Sequence, residues 1–360
     1  MAAAAGLSKL QVVLLVVVSG LAVTTGVLHF THAPEVATFI TGAVALAGIA
    51  WVVGFATEAV GARFGPAITG VLQSTLGNLP ELFIVLFALS AGEVVVAQTS
   101  ILGSIFANAL LVLGLVILAG SRKSPDGVMR FHARLPNDTA ILLMLAVFII
   151  VLLGLSDTIG DRASQHQTTI STIGAVCLLL VYFAWLWGYL RGAATPVAGR
   201  GPAEGHHTSL PLWLSIGLLA ASGTAAALVS EWFVHALGPA VDELGISRAF
   251  TGLVIVAIAG NAVENVAGVW LAWKGQNDLA ISVVKNSVGQ IAVFLFPVLV
   301  LLSLFFAQPL TFVVGPVYIG ALVLMAIAVW QITGDGQAVA FEGWSLIALY
   351  VILGVLVFFE

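Results

Sequence analysis

Two glutamates of this chain occupy the same place in a short motif that occurs twice. The motif is Gly-Asn-x-x-Glu, and its two copies end at Glu81 and Glu264, which are 264 − 81 = 183 residues apart. Both copies lie in strongly apolar segments, where an ionised carboxylate is costly and commonly marks an ion path or a proton relay. A pair of such carboxylates has two favourable states, protonated or neutralised by a cation. A divalent ion that prefers oxygen ligands, such as Ca²⁺, suits the second state best.

The residues around the two glutamates could supply further oxygen ligands. Each motif places an asparagine three residues before its glutamate, on the same face of a helix. Each also has a glycine that permits close backbone approach and weakens the helix, so that main-chain carbonyls become available. Pro80 should remove one helical hydrogen bond and expose the carbonyl near Leu76. The next apolar segments add hydroxyl and amide groups, including two serines that are again 287 − 104 = 183 residues apart. The predicted metal ligands are Glu81, Glu264, Asn78, Asn261, Gly77, Gly260, Ser104, Ser287, Asn108 and Gln290, and the predicted proton-coupling residues are Glu81 and Glu264.

The composition indicates that lipid, rather than water, is the main solvent of the chain. Of its 360 residues, 60% are hydrophobic and only 8% are charged, and the mean hydropathy is +1.13. Soluble domains carry about 25% charged residues. Cys177 is the single cysteine, which excludes a disulfide framework and any multi-cysteine metal site. The chain is therefore predicted to be a membrane protein.

Apolar segments separated by glycine, proline and charged residues predict eleven membrane-spanning helices. The gaps between these segments are short, so the chain has no room for a soluble domain. The predicted spans are residues 8–28, 35–60, 65–91, 94–119, 136–156, 168–191, 210–236, 246–273, 279–306, 309–332 and 338–359.

The basic residues predict the orientation of these spans. If the N-terminus is cytoplasmic, only Arg162 and Arg248 fall on the outer side, and Lys285 lies inside a span. The other basic residues fall on the inner side, namely Lys9, Arg63, Arg122, Lys123, Arg130, Arg134, Arg191, Arg200 and Lys274. An excess of lysine and arginine on the inner side is the usual arrangement. The N-terminus is therefore predicted to be cytoplasmic and the C-terminus external.

The two motifs belong to the third and the eighth predicted spans. Because five is an odd shift, these two helices cross the membrane in opposite directions, and the repeat is inverted. Inverted repeats place substrate and coupling ions near the midplane, on interrupted helices where the repeats meet. The predicted fold is all-α, with eleven transmembrane helices. It consists of an N-terminal transmembrane helix in residues 1–30, a first five-helix repeat in 31–191, a cytoplasmic linker in 192–209 and a second five-helix repeat in 210–360.

At these residues the chain resembles the Ca²⁺/H⁺ exchanger (CAX) family of the cation/Ca²⁺ antiporter superfamily. The paired Gly-Asn-x-x-Glu motifs of that family match the two copies described above. Its first G-S-x-x-x-N stretch matches Gly103, Ser104 and Asn108. Its second stretch, G-S-x-x-Q-I-A, is met by Ser287, Gln290, Ile291 and Ala292, with Asn286 in place of the glycine. The resemblance implies an antiporter without a cofactor that exchanges Ca²⁺ for H⁺ by alternating access, with Glu81 and Glu264 binding the two ions in turn.

The chain departs from the family pattern at two places. Asn265 follows the second glutamate, where the family often has a histidine, and the linker has one carboxylate, Glu204, where an acidic segment is common. A Na⁺-coupled Ca²⁺ exchanger of the same superfamily is therefore the main alternative. A membrane-embedded enzyme would need a nucleophile or a motif such as H-E-x-x-H, and the sequence has none. A channel fits an inverted repeat less well than alternating access does.

Other polar residues receive simpler interpretations. Lys285 is only about six residues inside its span, so it is expected to snorkel to the cytoplasmic surface. His206 and His207 are expected to be solvated in the linker, and Glu58 to be either solvated or part of the cytoplasmic mouth. The expected partners are Ca²⁺, H⁺ and the lipid bilayer, without nucleic acid, and homo-oligomerisation is left open. The expected location is a prokaryotic plasma membrane.

Overall fold

In the computed structural model of the protein, the described part of the chain is almost entirely helical. Described are residues 7–61, 63, 72, 76–132, 134–193 and 210–360, without the side chains of residues 134–138, 189–193, 263 and 264. The helices are α1 (Lys9–Phe30), α2 (Glu35–Gly61), α3 (Leu79–Ser90), α4 (Val94–Lys123), α5 (Arg134–Ile159), α6 (Gln167–Ala193), α7 (Leu212–Leu244), α8 (Arg248–Gly260), α9 (Ala262–Trp273), α10 (Asn277–Ser303), α11 (Pro316–Thr333) and α12 (Ala340–Phe358). A short 3-10 helix, Arg162–His166, precedes α6, and α4, α8 and α10 each contain a π-helical stretch.

Most of these helices are long and apolar enough to cross a membrane. Within the described residues nine meet this condition, and α8 with α9 add a tenth if they are counted as one bent span. Helix α3 is apolar but shorter. The outward-facing side chains are apolar as well, as at Phe148, Leu324 and Ile352, which are 62%, 67% and 64% exposed. A surface of this kind is stable in lipid, and the prediction of an all-α membrane protein is confirmed.

Two short strands join the connections at one end of the helices. Strand β1 (Val128–Arg130), between α4 and α5, pairs antiparallel with β2 (Gln337–Val339), between α11 and α12. Next to them, the carboxylate of Asp278 at the start of α10 accepts a hydrogen bond of 2.6 Å from the backbone N–H of His132. The other oxygen of Asp278 lies 2.9 Å from Nδ1 of the same histidine. The α4–α5, α9–α10 and α11–α12 connections therefore share one end of the bundle.

The chain forms two compact units. The first consists of Met1–Phe87 and Phe183–Gly245, and the second of Ala88–Tyr182 and Ile246–Glu360. In the first unit α2 packs along α7, where the rings of Phe39 and Phe233 stack with centroids 5.0 Å apart. At the end of α2, Arg63 donates a hydrogen bond of 2.8 Å to the backbone carbonyl of Leu210, just before α7. The end of α2 and the beginning of α7 are thus held together.

Glycines bring the helices of the second unit into backbone contact. A Cβ atom at Gly103 in α4 would lie 2.5 Å from the Cα of Leu253 in α8. A Cβ atom at Gly114, later in α4, would lie 2.7 Å from the carbonyl oxygen of Gly343 in α12. Because lipid is as apolar as the side chains, helices in a membrane associate through such close packing rather than through the hydrophobic effect. The absence of a side chain at Gly103 is therefore a condition for the α4–α8 contact.

Two π-helical stretches occupy matching positions in the sequence. One covers Ala107–Val112 in α4, and the other covers Ile291–Leu295 in α10. The offset of the motif maps the first stretch onto residues 107 + 183 = 290 to 112 + 183 = 295. π-Helical segments are rare and occur frequently at functional sites. The same backbone irregularity thus follows both copies of the motif.

We predict that Gly103→Ala destabilises the protein. The added methyl group would overlap backbone atoms of Leu253, which cannot rotate away, and overpacking of this kind typically costs about 1–3 kcal/mol or more. The measurement is the Tm of the purified protein in detergent. The matched control is Gly320→Ala in α11, because a Cβ atom there would have no neighbour within 4 Å. Equal Tm values for the two variants would contradict the proposed role of the contact.

Candidate ion-binding site

Both copies of the Gly-Asn-x-x-Glu motif interrupt a helix. Gly77 and Asn78 form a turn directly before α3. Asn261 separates α8 from α9, and the helical segments on its two sides differ in direction by 55°. Each glutamate is consequently the third residue of the helix that follows, since α3 begins at Leu79 and α9 at Ala262. Interrupted helices of this kind are the usual place for ion binding in transporters with repeats.

Pro80 has a different role from the one that its sequence position suggested. It is the second residue of α3. The N–H groups of the first turn have no partner within a helix, so proline removes nothing there, and its fixed φ suits the start of a helix. The expected loss of a hydrogen bond near Leu76 is therefore wrong. Pro80 helps to begin α3 rather than to weaken a continuous helix.

The start of a helix is a favourable place for a carboxylate. Its unpaired N–H groups and the helix dipole give a partial positive charge, which stabilises a negative group by about 0.3–1 kcal/mol, and by more in partly buried positions. Glu81 lies in the first turn of α3. The interruption therefore offsets part of the cost of keeping an ionised side chain away from water.

The first copy of the motif belongs to the first unit and is largely buried. The side chains of Asn78 and Glu81 are buried, with 5% and 4% of the residue exposed, and Gly77 is half-buried. Within this unit a Cβ atom at Gly223 in α7 would be in ordinary contact, 3.6 Å, with Leu79. Glu81 therefore faces protein rather than lipid, as expected of a functional intramembrane acid.

The second unit joins three of the predicted residues in one hydrogen-bond network. The side-chain amide of Asn108 donates to Oδ1 of Asn261 at 2.6 Å, and the amide of Asn261 donates to Oγ of Ser104 at 2.8 Å. Both amides also donate to main-chain carbonyls, Asn108 to Ser104 at 3.0 Å and Asn261 to Ala257 at 2.8 Å. All three side chains are buried. The network fixes the asparagine of the second motif against α4.

Three side-chain oxygens of the second unit are available as ligands. Asn108 Oδ1, Asn265 Oδ1 and Ser287 Oγ are buried and have no hydrogen-bond partner among the described residues. A buried polar atom left without a partner costs about 1–3 kcal/mol, so such atoms call for an explanation. A hard cation that binds oxygen atoms would supply one. Asn108 and Ser287 were predicted as ligands, whereas Asn265 was noted only as the replacement of a histidine, although it directly follows a motif glutamate.

For the other predicted residues the structure gives only their burial and their position in a helix, or does not describe the side chain. Gly260 is buried at the end of α8, Gln290 is half-buried just before the π-helical stretch of α10, and Glu58 is exposed near the end of α2. The backbone of Glu264 is helical, but its side chain lies outside the described residues, as do His206 and His207. The pairing of Glu81 with Glu264 therefore stays a prediction.

Lys285 does not snorkel to the surface. Its residue is only 2% exposed, and its Nζ has no hydrogen-bond partner among the described residues. A Cβ atom at Gly289, one turn later in α10, would lie 2.9 Å from Cγ2 of Thr139 in α5. Lys285 shares this α5-facing side of α10, about 160° around the helix from Ser287. The snorkelling prediction failed because burial at this depth is decided by the packing of α5, which the length of a span does not reveal.

Comparison with known proteins decides the family. The sequence profile described as "sodium/calcium exchanger protein" matches residues 34–190 and 214–359. The chain belongs to this family. Members of the sodium/calcium exchanger family are cation transporters, so the alternative of a membrane-embedded enzyme is excluded.

Individual exchangers are similar to the chain over nearly its whole length. A Ca²⁺/H⁺ antiporter of Aphanothece halophytica is 31% identical over 347 residues, which cover 92% of each protein. The Ca²⁺/H⁺ antiporter ChaA of Bacillus subtilis (strain 168) is 32% identical over 332 residues, covering 90% of this chain and 92% of ChaA. The solved structure of native YfkE superimposes with a TM-score of 0.81 at 28% identity and covers 96% of this chain and 100% of YfkE. The resemblance to Ca²⁺/H⁺ exchangers that the motifs indicated is confirmed.

Proposed function

We propose that the protein is a secondary active antiporter that exchanges Ca²⁺ for H⁺ by alternating access, with Glu81 and Glu264 binding the two ions in turn. The observation that carries this proposal is that both motifs interrupt a helix and place their glutamate in the first turn of the next one. The names of the relatives from Aphanothece halophytica and Bacillus subtilis agree with it.

The ligands near the motifs favour Ca²⁺ over softer metals. Asn108, Asn265 and Ser287 offer buried oxygen atoms, and the motif asparagines add amide groups. Ca²⁺ takes six to eight oxygen ligands in adaptable geometry, whereas zinc and copper prefer nitrogen and sulfur. Two carboxylates would balance the charge of one Ca²⁺ ion. We therefore infer that Glu81 and Glu264 supply the charge and that amide and hydroxyl oxygens complete the shell.

Coupling to protons follows from the cost of charge away from water. When Ca²⁺ leaves, two ionised carboxylates would be buried without compensation, and protonation removes their charge. Ca²⁺ and H⁺ would thus compete for the same oxygens, which is the condition for exchange. The family also includes sodium-coupled exchange in its description, so Na⁺ as the counter-ion is the second candidate.

The proposal includes eleven transmembrane helices in an N-terminal helix and two inverted five-helix repeats. One family profile matches two segments, 34–190 and 214–359, which supports two related halves. The matching π-helical stretches support the same register. Contacts between loops support the number of crossings, because two segments at one membrane face must be separated by an even number of spans.

Three loop contacts test this parity. Between strands β1 and β2 the chain contains α5, α6, α7, the α8–α9 pair, α10 and α11. The number of crossings between the strands is even only if the bent α8–α9 pair crosses the membrane once. His132 and Asp278 are separated by four spans on the same count. Arg63 contacts Leu210, and α4, α5 and α6 are the full spans described between them, so an even number requires one further crossing before α4. With α1, α2 and α12 the total is eleven.

We predict that this topology places the α4–α5 connection in the cytoplasm and the connection after α5 outside. Single cysteines at the exposed positions Lys123 and Gln165, in a Cys177→Ala background, report the two loops. An impermeant maleimide should label Gln165→Cys in intact cells and Lys123→Cys only after permeabilisation. Labelling of both from one side would contradict the span count. The reverse pattern would leave the count intact and invert the orientation.

We predict that Glu81→Gln and Glu264→Gln each abolish exchange while the protein still folds. The amide resembles the protonated carboxyl in shape but can neither release a proton nor supply charge to Ca²⁺. The measurement is Ca²⁺ uptake into proteoliposomes driven by an imposed pH gradient, and it should fall to the level of protein-free liposomes. Glu243→Gln, an exposed residue at the end of α7, is the control and should transport normally. Uptake by either motif variant would overturn the assignment of that glutamate.

We predict that the apparent Ca²⁺ affinity of the wild-type protein falls as the pH drops from 8 to 5. Protonation removes the ligands, so the affinity should fall by up to about tenfold per pH unit for each proton that Ca²⁺ must displace. The measurement is equilibrium Ca²⁺ binding at constant ionic strength, repeated with Na⁺ in place of K⁺. A flat pH profile together with strong competition by Na⁺ would exclude proton coupling and favour the sodium-coupled candidate.

A further inference from the structure

Two histidines of the first unit face each other across the α1–α7 contact. The contact is closest at Gly26 of α1, where a Cβ atom would lie 2.9 Å from two ring carbons of Trp232 in α7. Three residues further along each helix come His29 and His235. Their ring centroids are 5.2 Å apart, and the ring planes are inclined by 83°. The Gly26–Trp232 packing therefore sets the spacing of the two imidazoles.

The surroundings of the pair limit the movement of His29. Its ring stacks with Trp232 at 6.1 Å between centroids and meets Phe30 edge-on at 5.1 Å. Neither imidazole makes a hydrogen bond with the part of the chain that the structure describes, so the ring nitrogens of His29 and His235 remain available to a ligand. His29 is half-buried and His235 is exposed. One ring of the pair is thus held in place by its neighbours, and the other ring is exposed.

The spacing fits a shared metal ion. Metal–nitrogen bonds to histidine are about 2.0–2.1 Å long, so two imidazoles bound to one tetrahedral ion have ring centroids roughly 5 Å apart. Imidazole nitrogen is a ligand for zinc, nickel and copper, whereas Ca²⁺ requires oxygen atoms. The imidazole nitrogens of His29 and His235 therefore favour a transition metal over Ca²⁺, the ion that we propose is transported.

We propose that His29 and His235 form a binding site for a divalent transition metal of the zinc type, separate from the Ca²⁺ path. Among the described residues no third histidine, cysteine or carboxylate joins them in a metal-binding group, so water completes the coordination. Metal bound at this site links the end of α1 to α7 and stabilises the first unit. The neutral form of both rings is required, so binding weakens in acid.

The test uses Zn²⁺ binding to the purified full-length chain, without an affinity tag, in detergent at pH 7.5. The parent for all variants carries His206→Ala and His207→Ala, since an adjacent histidine pair would add background binding. The parent should bind one equivalent of Zn²⁺ saturably by isothermal titration, and its Tm should rise with Zn²⁺. His29→Gln and His235→Gln should each lose both effects, and Ca²⁺ should not compete.

His166→Gln is the matched control, because His166 is an exposed histidine on the 3-10 helix of the second unit. It should bind Zn²⁺ like the parent. If the His235→Gln variant binds Zn²⁺ with the stoichiometry and affinity of the parent, the site does not exist. Since His235 is exposed, loss of folding does not obscure this result. The readouts are binding and Tm, so the outcome is independent of whether the protein exchanges Ca²⁺ for protons.

Discussion

The cost of a carboxylate away from water is the constraint on which the arrangement of this protein depends. A continuous helix would surround Glu81 with saturated backbone and apolar side chains. The helix instead starts two residues before it, so that unpaired N–H groups and the helix dipole lie close to the charge. The second motif breaks in the same way at Asn261. Gly-Asn-x-x-Glu is thus best understood as a sequence that starts a helix within an apolar segment of the chain.

Interrupted helices in a membrane create a second demand, because backbone groups that leave a helix need partners. The buried Asn108–Asn261–Ser104 network meets part of this demand, since both amides also bond to main-chain carbonyls. Close helix contacts exclude lipid from the same region, as Gly103 does against Leu253. Close helix packing and the hydrogen bonds of buried polar groups therefore have the same effect here, because both keep the polar interior isolated from the bilayer.

The sequence predicted the features that depend on local composition and missed those that depend on packing. Apolar segments located most of the described long helices, although α7 ends eight residues later and α11 begins seven residues later than predicted. The offset of 183, which pairs Asn78 with Asn261 and Ser104 with Ser287, placed Ser104 and Asn261 in one predicted site, and these two residues are hydrogen-bonded. The role of Pro80 was misread because, in a continuous apolar segment, a proline that interrupts a helix cannot be distinguished from a proline that begins a new one. The π-helical stretches were not predicted because their residues are the same apolar types that form ordinary α-helix in this chain. The burial of Lys285 depends on α5, which is distant in sequence.

The two halves share a backbone pattern but not its chemistry. Position 108 in the first half corresponds to 108 + 183 = 291 in the second, where Ile291 stands in place of an asparagine. No side-chain amide can therefore bond from that position as Asn108 does to Asn261. Ser104 accepts a hydrogen bond from Asn261, whereas its counterpart Ser287 has no partner among the described residues. Lys285 likewise corresponds to Leu102, and both are buried. The hydroxyl of Ser104 is therefore already hydrogen-bonded, whereas that of Ser287 is available, so the two matching serines would offer unequal ligands to an ion.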